Sequence, residues 1–306
     1  MAGLCPTEVV TYRQRQDDLS FLGDCLQREQ PDRSILWIVS WGFDVPRLIR
    51  RLRGHRVAYH AHSSGYGFDL PAGVPVLAVS RNTLGYWGAR APRNPLCLVP
   101  NALEDPWLTR GARGTERLRS IDVLVQARKS SPYVLKQLVP ALQRAGLRVE
   151  VQSGWVDDLV DLFNQSTVYL YDSADYWRGR GVTEGFGLPP LEALACGCVV
   201  FSSLNHALAD HGDPCRTVHQ IGCGRLEFDV DRIQQAVRNP SYWRPQLDQL
   251  EAGLALYSET HLLERWREAL EHLDALDDRP GPWLVNSTRW QLRWGQRLKR
   301  LRRVVD

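Results

Sequence analysis

Short apolar segments alternate with segments of helical periodicity along most of the chain. Residues 34–41 (SILWIVSW) and 55–62 (HRVAYHAH) have the character of buried strands, and the helix between them is bracketed by Pro46 and Gly54. The alternation continues to residue 101, with Ser80 expected to cap the next helix. Nearly continuous apolar strands are typical of parallel sheets that are covered on both faces. The pattern therefore predicts an α/β fold.

The alternation breaks once, at the polar, glycine- and arginine-containing segment 109–120 (TRGARGTERLRS), and then resumes with Ser131 expected to cap a helix. A chain of 306 residues suits two domains. We therefore expect two doubly wound, Rossmann-like domains, residues 1–108 and 121–255, that face each other across a cleft. A ligand should bind at the carboxyl ends of the strands. The chain after about residue 225 is mostly helical.

Composition indicates the cellular compartment of the protein. The chain is 43% hydrophobic and 24% charged, which is ordinary for a globular protein. Its longest apolar runs are far shorter than the ~20 residues that cross a bilayer, and no secretory signal is visible at the N-terminus. Seven cysteines without metal-binding spacing indicate reduced thiols. These features predict a cytoplasmic protein.

The positive charge is concentrated in the last segment, residues 280–306, which has seven cations and one acid. Because the whole chain carries +3, the remainder carries −3. Five apolar side chains recur there at helical spacing: Trp290, Trp294, Leu298, Leu301 and Val305. Such a basic amphipathic tail suits peripheral contact with an anionic membrane surface, although the tryptophans could instead pack on the body of the protein. No nucleic-acid-binding module is recognisable.

One segment, residues 183–202 (TEGFGLPPLEALACGCVVFS), combines a glycine turn with two acids. Gly185 and Gly187 allow close approach of a ligand to the main chain, and the following helix start favours a phosphate. Glu184 and Glu192 would be repelled by phosphate but accept hydrogen bonds from hydroxyls well. The residues thus suit a nucleotide sugar. The alternative is an ordinary helix start with Glu192 as a surface acid.

The sequence EGFGLPPLEALACGCVV resembles the E-x7-E signature of glycosyltransferase family 4, whose members are retaining enzymes of the GT-B fold. The resemblance extends over about residues 34–275. It implies that Glu184 approaches hydroxyls of the transferred sugar and that Glu192 holds the ribose. It also implies donor contacts from three amides and the next residue, Gly185, Phe186, Gly187 and Leu188. By the same likeness, a helix at 256–279 returns towards the first domain.

Arg128 and Lys129 end a predicted strand and match the basic pair that the family places near the diphosphate. There they would neutralise charge that builds on the leaving group. The alternative is a solvated pair at a strand end. Many family members have a second lysine a few residues later, where this chain has Tyr133, so Lys129 is the candidate substitute.

His60 ends another predicted strand and matches a family histidine that can contact the donor sugar or the acceptor; His62 is the second candidate, with Ser63 beside it on the acceptor side. A structural role for His60 is the alternative. A His-x-His pair can bind zinc, but no third ligand is evident, and there is no Asp-x-Asp pair. We therefore predict metal-independent chemistry without a cofactor.

The first 30 residues contain no glycine-rich loop of the kind that helps family members to bind an acceptor. The first domain is therefore shortened. The predicted activity is transfer of a sugar from a nucleotide diphosphate sugar to a hydroxyl of a saccharide or lipid-linked saccharide, with retention at the anomeric carbon. Two alternatives remain: a nucleotide-sugar 2-epimerase of the same fold, and a non-catalytic sugar-nucleotide-binding or assembly subunit.

Overall fold

After a short two-stranded parallel sheet near the N-terminus, strands and helices alternate through two larger parallel sheets and then give way to helices. The computed structural model describes residues 3–28, 32, 34–114, 118–222 and 225–277, together with Trp290 and Trp294. The strands are β1 (Val10–Thr11), β2 (Ser20–Phe21), β3 (Leu36–Ser40), β4 (Arg56–Ala61), β5 (Val76–Ala78), β6 (Leu96–Leu98), β7 (Ile121–Gln126), β8 (Val149–Gln152), β9 (Ser166–Tyr171), β10 (Val199–Ser202) and β11 (His219–Gln220).

The helices alternate with these strands and are numbered in chain order. They are α1 (Leu22–Arg28), α2 (Val45–Arg51), α3 (Arg81–Arg90), α4 (Asp105–Arg110), α5 (Val139–Arg144), α6 (Leu159–Asn164), α7 (Ala174–Arg178), α8 (Leu188–Ala195), α9 (Leu226–Arg238), α10 (Pro240–Trp243), α11 (Leu247–Ala255) and α12 (Glu259–Asp277). A π-helical turn, Val134–Leu138, precedes α5, and a 3-10 helix, His206–Asp210, follows β10.

The N-terminal sheet has four parallel strands in the order β3-β4-β5-β6. Alternation along β4 decides which helices cover each face. Tyr59 and Ala61 join a core with α2 and α3. Ala58 points the other way and joins Trp266 of α12 in a separate core. The long C-terminal helix therefore closes the second face of the N-terminal sheet.

The C-terminal sheet has five parallel strands in the order β11-β10-β9-β7-β8. Strands β9 and β10 are wholly buried and β7 is buried at its centre, residues 123–125, as expected for a sheet with a hydrophobic core on each face. The order reverses between β7 and β9, because β8 lies on one side of β7 and β9 on the other. Chains leaving adjacent strands at such a reversal diverge and open a crevice at the carboxyl ends.

Two parallel sheets flanked by helices confirm the predicted pair of Rossmann-like domains with a helical C-terminal region. The N-terminal sheet differs from its partner in one respect: its strands are added in one direction only, without a reversal. The crevice that a reversal creates therefore belongs to the C-terminal sheet. This places the candidate site mainly on residues after 120.

Local signals predicted helix starts better than helix type. Ser80 caps α3 by accepting a hydrogen bond from the Thr83 amide, and Ser131 accepts one from the amide of Val134, both as predicted. The helix after Ser131, however, begins with a π-helical turn. Pro140 lies near the start of α5, lacks an N–H and crowds the carbonyl four residues earlier, which disfavours regular α-helical bonding at this point.

The predicted basic tail falls almost entirely outside the described residues. Of its members, Trp290 and Trp294 are described, and both are exposed, with ring centroids 5.4 Å apart. No helix in the described parts of the chain is both long enough and apolar enough to cross a membrane.

Trp266→Ala should test how α12 supports the N-terminal sheet. We expect the free energy of unfolding to fall by about 3–5 kcal/mol, because a large side chain leaves a packed core. Urea denaturation followed by circular dichroism measures the change. Glu268→Ala, on the exposed side of the same helix, should cost less than about 0.5 kcal/mol. Equal stability of Trp266→Ala and wild type would contradict this packing.

Candidate active site

The Glu184 carboxylate is buried and held by three side chains. The residue is 3% exposed. The Tyr171 hydroxyl and the Trp177 indole N–H both donate to Oε2, at 2.6 and 2.7 Å. Lys129 Nζ lies 3.4 Å from the other oxygen, Oε1. Oε2 is therefore occupied by two short hydrogen bonds, whereas Oε1 has only the longer contact with an ammonium group.

These side chains converge because they leave the C-terminal sheet at its reversal. Lys129 follows β7, Tyr171 ends β9, and Trp177 lies on α7 directly after β9. The Lys129 backbone has φ +73°, a left-handed conformation that is uncommon for a residue with a side chain. Its ammonium also lies 4.8 Å from the centre of the Trp177 ring, within range of a cation–π interaction. Trp177 thus contacts both members of the ion pair.

The glycine turn after Glu184 has unpaired amides. Gly187 adopts φ +85° at the start of α8, and a Cβ there would overlap Leu208. Within the described residues, no acceptor bonds the amides of Gly185, Phe186, Gly187 or Leu188. Two prolines follow Leu188 and have no N–H, so α8 contributes one amide in its first three positions. Anion binding here would rest on the turn more than on the helix.

A hydrogen-bonded seam joins the two domains beside this turn. The Ser63 hydroxyl donates to the Thr183 carbonyl oxygen at 2.6 Å, and the hydroxyls of Ser64 and Thr183 are 2.7 Å apart. The Asn82 amide also donates to the Thr183 hydroxyl, at 3.3 Å. Because Thr183 precedes Glu184, the seam fixes the glutamate relative to the N-terminal domain. The Ser63 hydroxyl is used by this seam.

The predicted histidines take different positions. The His62 carbonyl lies against Gly185, where any Cβ would overlap it. The His60 ring instead packs between His62 and Trp266, at centroid distances of 4.1 and 5.1 Å, and its buried Nε2 has no partner among the described residues. Burial lowers the pKa of His60 to about 3 and that of His62 to about 4, so both are neutral near pH 7. Of the two, His62 is the residue at the turn.

The row of rings continues from His62 to solvent. Trp41 stacks on His62 with centroids 4.8 Å apart and planes 10° apart. Its backbone, like that of Gly42 after it, is left-handed, with φ +65°. Trp41, His62, His60 and Trp266 therefore form a continuous row from the cleft-side surface to α12, which we call the ring row.

His206 is a site residue that the sequence did not reveal. It follows β10 in a left-handed conformation, φ +53°. Its Nδ1 accepts the Glu184 backbone N–H at 3.3 Å and lies 3.0 Å from the Asn205 amide nitrogen. Burial lowers the pKa of His206. The neutral ring thus holds the main chain of Glu184 by an acceptor nitrogen.

Glu192 and Leu188, at the start of α8, line a cavity of about 460 Å³ that Glu184 does not line. Among the residues around it are Glu104, Arg110, Trp155, Asp157, Asp158 and Leu188. Trp155 is 91% exposed, and its indole N–H donates to Asp157 at 3.0 Å. Burial, with a smaller effect of Glu104, raises the pKa of Glu192 to about 7, against a smaller opposing effect of Lys129. The cavity can hold a flat ring and a hydroxyl-bearing group.

The two predicted cations differ in environment. Arg128 is exposed and makes no hydrogen bond or ion pair within the described residues. Lys129, by contrast, reaches Glu184. The Tyr133 hydroxyl donates to buried Asp229 at 2.6 Å. The position that departs from the family pattern is therefore engaged with α9, and Lys129 is the lysine beside Glu184.

Some site residues had no signal in the sequence. Tyr171, Trp177 and His206 were not predicted as site residues, although Tyr171 ends a predicted strand beside the expected crevice. No group of three or more histidine, cysteine, aspartate or glutamate side chains in the described regions is arranged to hold a metal ion. Metal-independent chemistry stays a prediction.

The fold is that of GT-B glycosyltransferases, as comparison with solved structures shows. No protein-family model and no curated protein sequence matches the chain. Sucrose-phosphate synthase from Thermosynechococcus elongatus is similar with a TM-score of 0.57 and 15% identity, over 79% of this chain and 74% of that one.

Two further structures are similar at low identity. Anabaena Alr3699/HepE in complex with UDP-glucose gives a TM-score of 0.55 and 14% identity, over 77% of this chain and 78% of that one. TarM, from S. aureus, gives 0.56 and 11%. The match covers 76% of this chain and 54% of TarM, so the chain spans about half of TarM's length. At these identities the likeness establishes the fold.

Glu192 should make stability depend on pH. Below about pH 4.5 it is neutral in both states; between 4.5 and 7 the unfolded chain releases its proton while the folded chain keeps it. Above pH 7 the folded state carries the full cost of the buried charge, about 3 kcal/mol at most. The free energy of unfolding should therefore fall over this range by more in wild type than in Glu192→Gln.

Urea denaturation at pH 4.5, 6 and 8 measures this difference. Glu104→Gln should reduce the fall, because it removes a neighbouring negative charge. Glu227→Gln, at an exposed position on α9, is the control and should follow wild type. If the free energy of unfolding changes with pH equally in wild type and in Glu192→Gln, burial does not raise the pKa of Glu192.

Proposed function

We propose that the protein transfers a sugar from a nucleotide diphosphate sugar to a hydroxyl acceptor, with retention at the anomeric carbon. The observation that carries this proposal is the Glu184 carboxylate, oriented by Tyr171, Trp177 and Lys129 directly before a turn of unpaired amides. The GT-B fold supports it, as does the fact that the similar HepE structure contains UDP-glucose.

Each group has a role in this proposal that follows from its position. The amides of the turn and the cations of Lys129 and Arg128 bind the diphosphate and offset the charge that builds on it. Oε1 of Glu184 accepts a hydrogen bond from the transferred sugar. Glu192 accepts bonds from the ribose, with the base in the cavity beside Trp155. The donor then lies across the start of α8.

Transfer then needs no nucleophile from the protein. The bond from the anomeric carbon to the phosphate oxygen breaks, and the acceptor oxygen bonds to the same carbon on the same face. The acceptor's proton passes to the leaving phosphate oxygen, which gives the glycoside and the nucleoside diphosphate.

Glu184→Gln and Arg128→Ala test these roles. We expect each to lower kcat/KM for donor turnover at least 100-fold, Glu184→Gln by losing the charged acceptor and Arg128→Ala by losing charge at the diphosphate. The measurement is release of nucleoside diphosphate from UDP- and GDP-sugars. Glu150→Gln, at an exposed position on β8, should stay within twofold of wild type.

The outcomes also separate the alternatives. Thermal stabilisation by UDP or GDP without any turnover would favour a binding or assembly subunit. A donor sugar inverted at C2, seen by NMR without transfer, would favour an epimerase. Normal turnover by Glu184→Gln would refute the site itself.

Trp177 can be tested with a matched pair. Trp177→Phe keeps a ring near Lys129 but removes the N–H bonded to Glu184, and should lower kcat about tenfold, the effect of about one charged hydrogen bond. Trp177→Ala removes both contacts and should lose more. Tyr176→Phe, on the same helix, is the control. Steady-state kinetics measure all three. Equal rates for Trp177→Phe and wild type would show that the N–H does not position Glu184.

Several finer features belong to the proposal. Membership of glycosyltransferase family 4 rests on the signature residues, and the acceptor is expected to be a saccharide or lipid-linked saccharide. Independence from metal and cofactor, the domain boundaries at residues 108, 120 and 255, and a cytoplasmic location with peripheral membrane contact through 280–306 are likewise expectations. Liposome sedimentation of a protein lacking the tail would test the last of these.

A further inference from the structure

The Trp41 side chain is exposed to solvent, and its backbone has a conformation that is unfavourable for a bulky residue. The residue is 63% exposed, yet its backbone is left-handed, where a bulky side chain is rare. One face of the indole is covered by His62 and anchored through the ring row. Strained residues persist where their surroundings hold them, and they cluster at binding sites. The exposed indole face is therefore preorganised.

The position of this face points to the reaction centre. Trp41 follows β3 at the carboxyl edge of the N-terminal sheet, and the ring that it stacks on belongs to the residue whose carbonyl touches Gly185. Phe43, 74% exposed, packs edge-on against Tyr66 at 5.1 Å and adds apolar surface. A single residue, His62, thus lies between the indole and the turn that would hold the donor's diphosphate.

We propose that the exposed face of Trp41 is an acceptor subsite and that the acceptor is a saccharide whose pyranose ring lies flat on it. This subsite presupposes the glycosyl transfer proposed above and assigns its expected saccharide acceptor to a particular side chain. A pyranose has an apolar face of C–H groups and a rim of hydroxyls. The broad indole can cover the apolar C–H face of the pyranose. The hydroxyls of the rim are then free to reach the donor's anomeric carbon. An extended peptide or a simple polyol has no pyranose ring that could stack on the Trp41 indole.

Fluorine NMR of protein labelled with 5-fluorotryptophan tests the subsite directly. Trp41→Phe identifies the Trp41 resonance. The probes are methyl pyranosides of glucose, galactose, mannose and N-acetylglucosamine, added in the presence of UDP. We expect at least one to shift the Trp41 resonance saturably, whereas glycerol and N-acetylserinamide leave it in place. No shift with any pyranoside, or an equal shift with glycerol, overturns the proposal.

Kinetics provide the second measurement, with the donor that the wild type hydrolyses and octyl pyranosides of the same sugars as acceptors. Trp41→Ala should lower the ratio of transfer to donor hydrolysis at least tenfold, and Trp41→Phe by less. Trp41→Gly is the control for a folding defect, because glycine adopts the left-handed backbone without strain. It should lower the ratio as Trp41→Ala does. Tyr242, on α10, is also an exposed aromatic residue but lies outside the proposed subsite. Tyr242→Ala should therefore keep the wild-type ratio.

The two proposals fail in different ways. A protein that hydrolyses a sugar nucleotide but has an unchanged transfer ratio in Trp41→Ala and Trp41→Gly retains the proposed function and refutes the subsite. A protein that neither binds nor hydrolyses any sugar nucleotide refutes both. Transfer to N-acetylserinamide in preference to every pyranoside also overturns the subsite.

Discussion

The arrangement of the site depends on keeping one carboxylate charged and oriented inside a protein. A buried carboxylate is costly unless donors surround it, and Glu184 has a hydroxyl, an indole N–H and an ammonium within hydrogen-bonding range. Its main-chain N–H is held by His206. The three donors come from the ends of two strands, β7 and β9, and His206 follows a third strand, β10, so the position of Glu184 depends on the assembly of the C-terminal sheet. Loss of that assembly would leave the charge unpaired.

The second constraint is contact between the domains at the same point. The seam of Ser63, Ser64 and Asn82 on Thr183, with the His62 carbonyl against Gly185, gives the glycine turn neighbours from both domains. Helix α12 supports the N-terminal side of this contact, because it covers the back of the sheet. The N-terminal domain thus places side chains at the turn.

Sequence patterns predicted the features that local chemistry decides. Apolar alternation gave both sheets, serine caps marked two helix starts, and the glycines with following prolines located the turn. The resemblance to the family ranked His60 above His62, whereas the structure places the His62 carbonyl at the turn and the His60 ring between those of His62 and Trp266. Strand periodicity does not say where a strand ends relative to its neighbours. Tyr171 and Trp177 escaped notice because their partner, Glu184, becomes a neighbour only through strand order.

The sequence by itself determined an α/β chain in two blocks, a glycine turn flanked by two acids, and a basic pair at a strand end. These depend on residues close together in the chain. Tertiary structure alone decided that Lys129 meets Glu184, that Glu192 lies in a separate cavity where burial raises its pKa to about 7, and that Trp41 stacks on His62. The physical reason is that burial and contact between distant segments arise only when strand order and domain packing bring them together.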